Sequence, residues 1–219
     1  MPEKDKKEIR PYSVGEEIMN SVTHGIGALL SIIGLVVLVI LAALRGDAWH
    51  IVSFSIFGSS LIALYAASTL YHGFSRTSLK TLFKKMDHSA IFLLIAGTYT
   101  PFVLVVLRGF WGWSLFGIIW TLAVLGISIK AVSKFRFRGL SVVIYMFMGW
   151  LGVVAIRDIM NAVPGSCFTL LVIGGLSYTT GVIFYWYRQL PFNHGIWHLF
   201  VLGGSISHYF SVLLILKQM

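Results

Sequence analysis

Charge is what this chain has least of. Only 11% of its 219 residues are Asp, Glu, Lys or Arg, against 57% apolar. Soluble domains carry roughly a quarter charged residues, so an ordinary soluble fold is excluded. Cys167 is the single cysteine, which rules out an intramolecular disulfide and a cysteine-based metal site. Internal repeats are missing, against a duplicated transporter architecture. Long polar inserts are missing too, so no separate extramembrane domain is expected.

Apolar segments fill the rest, and the mean hydropathy is +0.84. A bilayer crossing takes roughly 20 apolar residues. Seven spans meet that length, at approximately 19–44, 48–72, 87–107, 112–131, 140–160, 166–187 and 194–216. The expectation is an all-α membrane protein, a seven-transmembrane helix bundle. Residues 1–16 form a polar tail and 17–219 one transmembrane domain. The first apolar run is too long for a signal-peptide core and reads as a retained helix. A net charge of +9 would suggest nucleic acid in a soluble protein. Here the basic residues sit in short loops, where they set topology, and no nucleic-acid partner is expected. Thirteen Lys and Arg fall on the side of the N-terminal tail and four on the other. That bias predicts a cytoplasmic N-terminus and an outside C-terminus, as for a multi-pass protein of the bacterial plasma membrane.

On that topology, the polar residues within the spans converge at one end. His194 and His198 are four apart, on one helix face, at the start of the last span. Ser68 and His72 close the second span, Asp87 opens the third, and Glu17, Asn20 and His24 share a face of the first. Ionisable residues at membrane depth usually mark a site. Three imidazoles, His72, His194 and His198, suit Zn²⁺ with a fourth position open to water, whose pKa the metal lowers to about 7. Asp87 is the candidate proton acceptor and Ser68 a candidate hydrogen-bond donor to the water or the oxyanion. Glu17, Asn20 and His24 are expected to support the ligands from behind, with His208 as a further supporting residue. Blander roles stay open: Asp87 as a helix cap, Ser68 bonded to its own backbone, His208 as a helix–helix bridge. His50 and His88 are expected at the interface.

Glu17-x-x-Asn20-x-x-x-His24, Ser68-x-x-x-His72, Asp87 and His194-x-x-x-His198 resemble the signature of the progestin and adipoQ receptor family. Asn20 to Gly25, Ser68 to His72 and His198 to Ser205 are most similar to its bacterial haemolysin III, or membrane-homeostasis, branch. The resemblance implies seven helices and a zinc on His72, His194 and His198, with Asp87 and Ser68 near it. It also implies kinship to hydrolases of lipid amides such as ceramidases. Three functions remain open: a zinc-dependent hydrolase of a lipid amide or ester, a non-enzymatic regulator with a structural zinc, and a cytolytic pore or transporter. Membrane lipids are the expected substrate or ligand in the first two.

Overall fold

The computed structural model describes residues 12–75, 77–132 and 138–216. Most of the expected tail, and Arg76, Lys134, Arg136 and Lys217 of the basic count, lie outside them. The described chain is all helical: α1 (Val14–Arg45), α2 (Ala48–Gly73), α3 (Thr77–Pro101), α4 (Gly109–Val132), α5 (Arg138–Trp150), α6 (Ile156–Ala162), α7 (Gly165–Trp186) and α8 (Asn193–Ile215). A π segment, Phe102–Val106, extends α3, and a 3₁₀ segment, Leu151–Ala155, joins α5 to α6 as one span. Seven helices or helix pairs are thus long and apolar enough to cross a bilayer. Consecutive spans pack side by side, and α1 against α8 closes the ring.

Each end of a helix has a local cause. Ser13 caps α1 through a capping box: its Oγ accepts from Glu16 N at 3.3 Å, and its own N donates to Glu16 Oε2 at 2.7 Å. Helix therefore starts at Val14, ahead of the expected span near 19. Glu16 also accepts from Phe192 N at 3.0 Å, which pins the turn before α8. Phe192 is in the left-handed region (φ 57°), and Asn193 Nδ2 holds Phe184 O at 2.9 Å. This turn aims the first residues of α8, the histidine pair included, back at α1.

Two further features depart from the expected spans. α3 begins at Thr77, ten residues before the expected 87, so most of the basic stretch read as a loop is helix. The fifth span is broken after Trp150. Tyr99 of α3 mends the break, donating to Gly149 O at 2.9 Å and accepting from Gly152 N at 2.7 Å. Backbone groups freed within a membrane must find such partners.

With lipid outside, helix association rests on close packing rather than on water exclusion. The α1 face toward α2 and α8 is accordingly small: Gly27, Ser31, Gly34 and Ala42 are buried there. Gly27 is required, because a Cβ would run into the Tyr65 ring. Large apolar side chains such as Leu29, Ile33 and Val36 point outward from the same helix.

Candidate metal centre

Two helices deliver the histidines. The last turn of α2 brings His72, and the first turns of α8 bring His194 and His198. Their ring centroids stand 5.1 Å (His72–His194), 5.3 Å (His72–His198) and 4.5 Å (His194–His198) apart. One nitrogen from each lies within 4.8 Å of the other two, a separation that a single metal ion can bridge. His72 and His198 are buried; His194 is partly exposed as a residue, but its Nδ1 is enclosed.

The α1 residues stand directly behind this cluster. His72 Nδ1 lies 2.6 Å from Glu17 Oε2 and 3.5 Å from Asn20 Nδ2. A carboxylate only accepts, so Nδ1 carries the proton and Nε2 keeps its lone pair. That Nε2 is buried and has no hydrogen-bond partner. His198 Nδ1 meets Asn20 O and Thr23 Oγ1, both at 3.2 Å, which leaves its Nε2 as the ligand atom. Carboxylate and carbonyl partners of this kind fix the tautomer and raise the basicity of metal-binding imidazoles. His24 has a different job from a hydrogen-bond partner. Its ring stacks flat on His198, centroids 3.5 Å apart and planes 11° apart, and it meets Tyr65 edge-on.

Asp87 is buried nearly three turns into α3, which removes the helix-cap reading. It shares the wall of a cavity of about 150 Å³ with His24, His194 and His198. His88 lines the same cavity, correcting its expected interfacial place. It stands 3.4 Å from Asp87 Oδ2 and 2.8 Å from Lys84 O. Ser68 is fully buried one turn before His72, and its Oγ has no partner, so it does not bond back to its own backbone. His208 is farther along α8 and binds Leu171 O at 3.0 Å, bridging two helices. His50 lies at the other end of α2.

Sequence reasoning missed three contributors. Lys80 holds Glu17 Oε1 at 2.6 Å and lies 5.4 Å from the centre of the Tyr71 ring, although its charge reads as loop in the sequence. Tyr12 covers His194 and His72, with centroids at 5.2 and 6.1 Å, from within the expected tail. Thr23 lies one residue before His24, and its helical spacing from Asn20 was the available signal.

A family profile described as "Haemolysin-III related" matches residues 12–209. The chain belongs to that family. It is thus a multi-span membrane protein, and the expected resemblance stands. Haemolysin-III relatives include Hemolysin-3 of Bacillus cereus, 51% identical over 200 residues and 91% of each chain. The Hemolysin-3 homolog of Bacillus subtilis (strain 168) is 49% identical over 92% of this chain and 95% of its own. The human monocyte to macrophage differentiation factor is 29% identical over 90% of this chain and 83% of its own.

Proposed function

We propose that this haemolysin-III-family protein holds zinc on His72, His194 and His198 and hydrolyses an amide or ester of a membrane lipid, in the service of lipid homeostasis. The observation that carries the reading is the pair of buried, unpartnered nitrogens, His72 Nε2 and His194 Nδ1, inside a cluster where the Nδ1 atoms of His72 and His198 are held from behind. Neutral imidazoles without thiolates suit zinc, so the donor set fits. Bound zinc supplies Lewis acidity and hydroxide at neutral pH.

The remaining work belongs to side chains. Asp87 Oδ, in the cavity wall, takes a proton from the attacking water and returns it to the leaving group. The Ser68 hydroxyl is free to donate to charge developing on the carbonyl oxygen. Leu64, Ile91, Leu94 and Val201 give the cavity an apolar surface for an acyl chain and keep bulk water out. A structural-zinc regulator is the second reading, favoured by the way Glu17 joins α1 to His72 of α2 and Lys80 of α3.

Asp87→Asn tests the two against each other. It keeps the shape and all three imidazoles, so zinc stays while lipid turnover falls about 10²–10⁴-fold, the usual worth of a general base. Zinc content, melting temperature and hydrolysis are read on one preparation. Full zinc with no wild-type hydrolysis of any lipid class, or undiminished turnover in Asp87→Asn, overturns the hydrolase. The basic bias supports a cluster at the cytoplasmic leaflet of the plasma membrane. A reporter inserted at 74–76 then reads as cytoplasmic, and an exported signal reverses the orientation.

A further inference from the structure

His208 is a buried histidine that the metal centre does not use. It is ten residues beyond His198 on α8, about 15 Å along the axis and roughly half the ~30 Å hydrocarbon thickness. Its ring sits over Gly174 of α7, where any Cβ would collide with it, so the ring has little room to turn. Nε2 is 3.0 Å from Leu171 O. A carbonyl oxygen only accepts, so Nε2 carries the proton and Nδ1 is a bare acceptor. That Nδ1 is buried and has no partner, although the residue lines the same cavity as His194 and His198. Hydroxyls in the wall of the same cavity are engaged with other partners. Tyr178 pairs with Ser205 Oγ at 2.8 Å, and Thr98 donates to Leu94 O at 2.8 Å.

The cavity therefore has two polar ends. One is the histidine cluster with Asp87; the other is the unpartnered His208 Nδ1 deep in the bundle. Leu94, Ile95 and Val201 supply apolar wall between them. We infer that the cavity receives a lipid acyl chain bearing a hydroxyl in its distal half, with the head at the histidine cluster and the hydroxyl donating to His208 Nδ1. The inference rests on the lipid reading above and adds the substrate class. A ketone or ester at that depth would set acceptor against acceptor, and an ammonium would bring a charge into an apolar wall.

The test is binding of three ligands to the purified full-length chain: octadecanoic acid, its derivative hydroxylated beside the carboxyl, and the derivative hydroxylated in the distal half. The wild type is expected to favour the distal isomer by about 3–10-fold over the others, the worth of one neutral hydrogen bond. His208→Phe keeps the ring volume and should bind the unsubstituted chain as before while losing the preference. His208→Gln, which retains a donor and an acceptor, should recover part of it. Equal binding of all three by the wild type means that water alone serves Nδ1 and overturns the subsite. A preference that survives His208→Phe overturns it as well. Failure of every chain to bind the wild type is a separate result, which brings down the lipid reading and this inference together. Should His208→Phe fail to fold, the wild-type series alone decides.

Discussion

Two histidine–carboxylate pairs stand at opposite ends of α2, and only one of them belongs to a candidate site. His50 Nδ1 lies 2.7 Å from Asp47 Oδ1, and His72 Nδ1 lies 2.6 Å from Glu17 Oε2. Both rings are buried. At the His50 end the pair is local, three residues apart, and the carboxylate has other duties. Asp47 caps α2 through Trp49 N and His50 N, and it binds Arg108 from the α3–α4 corner. The ring's neighbour is Phe54, edge-on at 5.8 Å. At the other end the pair spans 55 residues and two helices, and two more imidazoles face the same ring. The same contact closes a helix end in one place and orients a ligand in the other. What decides is the company of the ring.

Metal content should split the two ends most sharply. The protein should carry about one zinc, and alanine at His72, His194 or His198 should remove most of it, since two imidazoles leave tetrahedral zinc half-coordinated. His50→Ala should keep zinc in full. Equal loss from His50→Ala would erase the distinction. A smaller effect is expected one step out. Glu17→Gln leaves the three ligands but weakens the acceptor behind His72, so zinc affinity should drop about 10–100-fold. Asp47→Asn should leave that affinity unchanged. Competition with a chelator of known affinity measures both, and a Glu17→Gln protein indistinguishable from wild type would remove Glu17 from the centre.

The spans were legible because lipid imposes a length and a composition on each helix. The start of α3 was not. Residues 77–86 include Lys80, Lys84 and Lys85, which hydropathy counts as loop, whereas Lys80 reaches Glu17 and Lys85 binds Ala131 O from the helix. The break after Trp150 has no proline to announce it; it depends on the Tyr99 hydroxyl from a different helix. At the site, i, i+4 spacing was enough to pair His194 with His198. It was also enough to put Glu17, Asn20 and His24 on one face. It could not assign them partners: two reach His72, while the third lies flat on His198. His88 was misplaced because one residue turns a helix by only about 100°, and a wide cavity can take in both Asp87 and its neighbour.

The smallest effect belongs to the closed pair, and pH gives it a sign. Burial would raise the Asp47 carboxyl, but hydrogen bonds from Arg108 and His50 outweigh it and hold the group below the ordinary carboxylate range. A depressed native pKa stabilises the fold above the unfolded value of about 4 and loses that contribution as pH falls toward the native one. Asp47→Ala removes an N-cap, which is typically worth about 1 kcal/mol. The melting temperature should therefore drop slightly at neutral pH, and the gap from wild type should narrow in acid. Acid acts elsewhere in the molecule too, but it does so in both proteins, so the difference between them isolates the cap. A gap that stayed constant through acid, or widened, would mean that Asp47 acts through its shape rather than its charge, and the two ends of α2 would then differ in more than the company of their rings.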